Sequence, residues 1–156
     1  MVRILLIAGL VFVLDQASKY LVVHLMNLKE VLSIAVFPPY VQFHMAWNQG
    51  VNFGLFSGES LILRWVLILL SIAISVWILR YGERLGHWRG AVFAGFVVGG
   101  ALGNVIDRVI YGAVADFLNL SCCGINNPFA FNLADIAIFV GAFGLVLFAD
   151  KADNRT

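Results

Sequence analysis

Asp116 and Asp135 are carboxylates set among apolar neighbours, and neither has a cation adjacent or one helical turn away in the sequence. Two such groups brought within hydrogen-bond reach in a poorly solvated place repel, and they hold one proton between them. One acid and one base then coexist near neutral pH, the arrangement by which aspartic proteases activate water against an amide. Other polar residues gather at helical spacings. Asn104, Asp107 and Arg108 share one side of a helix turn; Asp15 and Lys19 are four apart and can pair; Asn132 and Asp135 are three apart and face one way.

Other chemistries lack their residues. There is no H-E-x-x-H, and His24, His44 and His87 are scattered over three segments, so no metal site is expected. There is no G-x-S-x-G, and Ser18 and Lys19 are sequence neighbours that point in different directions on a helix. Cys122 and Cys123 are adjacent, a spacing that bridges only with strain, and no histidine lies near them in sequence to make either a nucleophile.

These polar residues must be positioned by a chain built for a membrane. Of its 156 residues 62% are hydrophobic and 12% charged, against about 25% charged in soluble domains. Mean hydropathy is +0.93. Four stretches, near 4–26, 61–79, 90–108 and 129–149, approach the roughly 20 apolar residues that a span requires. Arg3 precedes an apolar run, but no A-x-A-like site follows and polar DQASK continues instead, so the first stretch reads as a retained helix rather than a signal peptide. No lone lipobox cysteine lies near the amino terminus, so the chain is not expected to be a lipoprotein itself. A net charge of +1 with no basic stripe gives no reason to expect a nucleic-acid partner.

Arg3, then Arg80, Arg84 and Arg89, then Lys151 and Arg155 fall on one side if the spans alternate, which places both termini in the cytoplasm and residues 27–60 and 109–128 outside. At 1.5 Å per residue, a fourth span entered near Phe129 puts Asp135 about 9 Å deep, while Asp15 and Lys19 lie about 16 and 22 Å from the cytoplasmic end. An aspartate at the centre of a span costs roughly 3 kcal/mol, so such residues normally face a bundle interior and serve a purpose there. The inner halves contain no charged residue, so no polar path crosses the bilayer and transport is disfavoured. The polar cluster reads as a site opened from the outer surface. The alternative from another class is a non-enzymatic membrane protein that holds a cation or a lipid headgroup between Asp116 and Asp135.

Two further patterns concern packing. Val41-Gln42-Phe43-His44-Met45 alternates with period two inside an aromatic stretch from Phe37 to Phe56, with Gly50 and Gly54, which predicts a hairpin or small sheet in the first outer loop. Gly95, Gly99 and Gly103 recur every four residues, a face that lets a neighbouring helix approach closely; the fourth span is its expected partner.

Five ordered motifs, DQASK (15–19), NQGVNFG (48–54), GGALGNVIDR (99–108), VADF (114–117) and FNLAD (131–135), resemble those of bacterial lipoprotein signal peptidase, signal peptidase II, nearly end to end. The resemblance implies an all-α membrane protein, one domain of four transmembrane helices over residues 1–156 with a small extramembrane β platform. It implies an aspartic endopeptidase of the bacterial inner membrane, working at the outer leaflet, that cuts diacylglyceryl-modified prolipoproteins before the lipidated cysteine. Asp116 and Asp135 match its catalytic pair; Asp15, Lys19, Asn48, Gly50, Gly103, Asn104, Asp107, Arg108 and Asn132 match positions that support the site or bind substrate. The implied partners are the diacylated substrate, membrane lipid and cyclic peptide inhibitors of the globomycin type, with a monomer as the working state and no cofactor. Ile136, Ala115 and the Cys122-Cys123 pair depart from the family pattern.

Overall fold

The computed structural model describes residues 1–50, 61–121 and 127–148. Gly54 and the aromatic residues beyond Gly50, Cys122 and Cys123, and the basic residues after Phe148 lie outside the described residues. The chain forms α1 (Val2–Lys19), continued by a π-helical segment (Tyr20–Leu25), then α2 (Leu28–Val31), β1 (Ser33–Phe37), β2 (Val41–Asn48), α3 (Leu61–Arg84), α4 (Trp88–Tyr111), β3 (Val114–Leu120) and α5 (Leu133–Phe148). Among the described residues three helical stretches, Val2–Leu25, Leu61–Arg84 and Trp88–Tyr111, are long and apolar enough to cross a membrane, and Leu133–Phe148 is a shorter apolar helix. Large apolar side chains such as Ile62, Trp77, Phe139 and Val146 point outward, as a hydrocarbon solvent permits and water does not. The protein is a mostly helical, multi-pass membrane protein.

The central helix is α4, against which α1, α3 and α5 all pack. It starts at a cap in which His87 Nδ1 accepts from Gly90 N at 2.9 Å, and it ends at Gly112, whose φ of 81° is the left-handed C-terminal turn that glycine adopts freely. The predicted spans are therefore short: 61–79 runs on to Arg84, and 90–108 extends to Trp88–Tyr111. Near the end of α4 distant from the sheet, Ile4, Ala8, Ile78, Ala94, Val98 and Leu145 form a dry core.

The glycine face meets a different partner from the one expected. A Cβ on Gly95 would lie 2.7 Å from Ile7 Cβ, one on Gly99 2.5 Å from Ala8 O, and one on Gly103 2.5 Å from Asp15 Oδ2, all on α1. The α5 contact uses Gly100, whose added Cβ would lie 2.5 Å from Ala134 O, with Gly141 of α5 pressed against the Phe93 carbonyl. With 3.6 residues per turn, a glycine one position away faces about 100° round the helix, so α4 offers close approach to two neighbours at once.

The β platform also draws on more of the chain than the first outer loop. Its three antiparallel strands run in the order β1-β2-β3, and the third comes from the segment between α4 and α5. Asp116 thus sits on a strand, opposite Ala46, and not in an irregular loop. Strand alternation turns Ala115 and Phe117 into a core with Val22, Val23, Leu28 and Met45, while Asp116 faces the other way.

Helix α5 begins at Leu133 rather than near Phe129, where the fourth span was expected to enter. The preceding backbone is already committed: Asn119 Nδ2 donates to the carbonyls of Asn127 and Phe129 at 2.7 and 2.9 Å, and Phe131 pairs with Leu118 on the sheet. Helix formation therefore waits for Asn132. Asp135 lies in the first turn of α5, not about 9 Å down a span.

Candidate active site

Asn132 is the residue from which the site is built. As the N-cap of α5 its Oδ1 accepts from Asp135 N at 2.9 Å, while Asp135 Oδ2 accepts from Asn132 N at 3.2 Å, the reciprocal bonding of a capping box. The Asn132 amide then donates to Asp116 Oδ1 at 2.6 Å and to Asn104 Oδ1 at 3.2 Å. A cap that any helix could use here bridges the two aspartates.

Each carboxylate has a second donor. Asn104 Nδ2 donates to Asp135 Oδ1 at 2.9 Å, and Asn48 Nδ2 donates to Asp116 Oδ2 at 3.0 Å. Asn48 reaches Asp116 because Ala46 pairs with Asp116 and Asn48 with Val114, so side chains two apart on β2 share the Asp116 face. Its orientation is set by Gly50, whose backbone N–H donates to Asn48 Oδ1 at 2.8 Å from a φ of 99° that side chains rarely adopt. Asp116 is 2% exposed, and this burial, with the charge of Asp135 beside it, pushes its carboxyl up from the ordinary 3.8 to about 6. A carboxyl so placed holds a proton in the range where an exposed one has lost it.

Behind the pair lies a buried ionic layer. Lys19 Nζ contacts Asp15 Oδ2 at 2.8 Å, Asp107 Oδ2 at 2.7 Å and Asn104 Oδ1 at 3.3 Å, so its three protons are all used. Asp15 Oδ1 accepts from Ala134 N at 2.9 Å, placing a carboxylate at the N-terminus of α5, where the helix dipole favours it. Asp107 Oδ2 accepts from Ala115 N at 3.2 Å and so ties α4 to the strand residue next to Asp116. Gly103 keeps this layer possible, since a side chain there would occupy the Asp15 carboxylate. Arg108 donates to Asn104 O at 3.2 Å and stands within electrostatic reach of Asp116 and Asp135; its Nε is buried with no hydrogen-bond partner.

All eleven residues expected from the sequence gather at the sheet end of the bundle. Asp107 is 1% exposed and paired to Lys19 across the α1–α4 contact. Sequence reasoning missed Gln16, whose Nε2 donates to Asp15 Oδ2 at 3.1 Å and Asp107 Oδ1 at 3.0 Å. An amide beside an intramembrane aspartate was the available signal. Among the described residues no group of three or more His, Cys, Asp or Glu could hold a metal ion.

Comparison with known proteins places this geometry among relatives. The family model described as signal peptidase (SPase) II matches residues 7–150. A lipoprotein signal peptidase of Methylorubrum extorquens (strain PA1) is 47% identical over 113 residues, 70% of this chain and 63% of the relative, so the chain spans under two thirds of that protein's length. One from Methylobacterium sp. (strain 4-46) is 38% identical over 144 residues, covering 90% and 84% of the two chains. One from Xanthomonas oryzae pv. oryzae (strain PXO99A) is 38% identical over 157 aligned residues, covering 97% and 92%. A solved bacterial membrane enzyme superposes with a TM-score of 0.77 at 26% identity, covering 100% of this chain and 93% of the other.

Proposed function

The chain belongs to the signal peptidase II family of peptidases, and from that premise we propose that it removes signal peptides from diacylglyceryl-modified prolipoproteins by hydrolysing the bond before the lipidated cysteine, with Asp116 and Asp135 as the catalytic pair. The observation that carries this reading is the Asn132 bridge, which joins two carboxylates from different elements, buried Asp116 on a strand and half-buried Asp135 on a helix, in one polar cluster.

In this mechanism Asp116 carries the proton of the pair and Asp135 acts as base. Asp135 takes a proton from a water whose oxygen attacks the scissile carbonyl carbon, while Asp116 gives its proton to the carbonyl oxygen. Collapse of the tetrahedral intermediate breaks the C–N bond and returns a proton to the leaving amine, yielding the signal-peptide carboxylate and a lipid-bearing amino terminus. Arg108, cationic and with a free Nε, supports the developing negative charge. Asn48, Gly50, Asn104 and Asn132 fix the two carboxylates; Asp15, Lys19, Asp107 and Gly103 hold α1, α4, α5 and β3 in the register that the site needs.

The place of the site fits this substrate. A diacylglyceryl group anchors with its glycerol at the headgroup boundary, so the bond before the modified cysteine must be cut at the level where the apolar helices give way to the sheet. With α1, α3, α4 and α5 all spanning and both termini cytoplasmic, that level is the outer leaflet of the bacterial inner membrane, and the chain forms one domain.

The test is gel-shift cleavage of a diacylglyceryl-modified prolipoprotein by wild-type protein, Asp116→Asn and Asp135→Asn in detergent, with equal folding checked and unlipidated substrate as control. Cleavage by wild type alone, of lipidated substrate alone, is expected. Cleavage by either variant at the wild-type rate overturns the assignment.

A further inference from the structure

Each aspartate of the proposed catalytic pair is preceded by an alanine whose backbone N–H is held by a carboxylate from another element. Ala134 N donates to Asp15 Oδ1 at 2.9 Å, and Ala115 N donates to Asp107 Oδ2 at 3.2 Å. Asp15 belongs to α1 and Asp107 to α4, so the start of α5 and the strand β3 hang from supports on two different helices. The separation of Asp116 from Asp135 therefore follows the separation and tilt of Asp107 and Asp15.

Two side chains tie those supports together. Gln16 and Lys19 are three apart on α1 and share a side of it. Lys19 Nζ directs its three protons to Asp15 Oδ2, Asp107 Oδ2 and Asn104 Oδ1. Asp107 Oδ1 is left to Gln16, whose Nε2 donates to it at 3.0 Å and to Asp15 Oδ2 at 3.1 Å; among the described residues no other donor reaches that oxygen. The amide can sit only one way round. Its neighbours, the two carboxylates and the Gly103 carbonyl at 3.4 Å, all accept, so the nitrogen faces them.

The two ties differ in kind. An ammonium is a compact point charge on a flexible stem, whereas an amide is planar and fixes direction as well as distance. They also fall unequally on the two supports. Asp15 has a contact on each oxygen without Gln16, since Lys19 holds Oδ2 and Ala134 N holds Oδ1. Asp107 does not, because Lys19 and Ala115 N both meet Oδ2. With Gln16 gone, the Asp107 carboxylate is free to turn about its Oδ2 contacts, and the Ala115 N–H next to Asp116 loses its fixed acceptor.

On the peptidase reading, on which this role rests, we infer that Gln16 is a positioning residue for cleavage: by fixing the rotation of Asp107 it holds the Ala115 backbone, and so the Asp116 carboxyl, in place against Asp135 and the substrate carbonyl. It acts through Asp107 and makes no bond to either aspartate of the pair. Lys19 supplies the charge that keeps the two supports together, and Gln16 supplies their orientation.

The test is steady-state cleavage of a diacylglyceryl-modified prolipoprotein by the full chain in detergent, comparing wild type, Gln16→Met and Gly99→Ala, each corrected for its folded fraction. Methionine keeps the straight chain and its fit to a helix while removing both donors. Folded Gln16→Met should lose kcat about tenfold with KM unchanged, because a misplaced acid slows the chemical step and leaves substrate binding alone. Gly99→Ala loosens the same α1–α4 contact away from the network and should keep the wild-type kcat. Gln16→Asn, whose amide falls one methylene short, gives the same comparison if the methionine variant fails to fold. A wild-type kcat in the Gln16 variant, a change confined to KM, or an equal loss of kcat in Gly99→Ala overturns the role while wild-type cleavage keeps the peptidase reading. Absence of cleavage by wild type removes both.

Discussion

The contact between α1 and α4 is dry at one end and ionic at the other, although one glycine repeat runs along both. At the dry end Gly95 and Gly99 let Ile7, Ala8 and Val11 reach the α4 backbone, and the stabilisation is dispersion between close surfaces. At the sheet end Gly103 allows the same approach, and what it admits is the Asp15 carboxylate, followed by the Lys19–Asp107 pair. The same spacing thus serves packing in one half and a buried polar network in the other. What differs is whether the facing α1 residue carries methyl groups or a charge.

Breaking the polar end at the aspartates should have the largest effect. Asp116→Asn and Asp135→Asn each should lower turnover by about 10²- to 10⁴-fold while thermal unfolding still reports a folded protein, because only proton transfer is lost. A variant that kept wild-type turnover would detach the network from the chemistry. Removing the cation tests the ionic layer itself. Lys19→Met leaves Asp15 and Asp107 buried together without compensation and should destabilise the fold by about 3–5 kcal/mol, read by denaturant titration in detergent.

The two halves are compared most directly by adding one methyl to each. Gly99→Ala should cost about 1–3 kcal/mol through the Ala8 carbonyl, with kcat of the folded protein unchanged. Gly103→Ala should lower kcat as well, because the displaced Asp15 carboxylate releases Ala134 N at the start of α5, one residue before Asp135. Equal effects on kcat would mean that the halves do not differ in function.

The smallest effect is on pH dependence. Because Asp116 is raised from 3.8 to about 6, its proton is held more tightly in the folded state; the stability it contributes is full below pH 4 and is lost as pH rises through about 6. An alkaline limb in kcat/KM with an apparent value of about 6 should follow, belonging to the coupled pair. Asn48→Ala removes a hydrogen bond that favours the ionised form, so that limb should move to higher pH. A downward shift would reverse the assigned role of Asn48.

Composition and spacing by themselves determined the membrane class, the Asp15–Lys19 pair and the facing of Asn132 with Asp135, because these depend on hydropathy and on the 3.6-residue turn alone. Motif order added Asp116 to the site. Only the tertiary structure decided that the glycine face meets α1, that Lys19 also holds Asp107, that Gln16 joins them and that Asp116 rides on a strand paired with β2. Each of these joins residues from segments far apart in sequence, and local periodicity carries no information about which face of one element meets another. The start of α5 was decided in the same way, when the sheet took the backbone of Phe131 before the helix could.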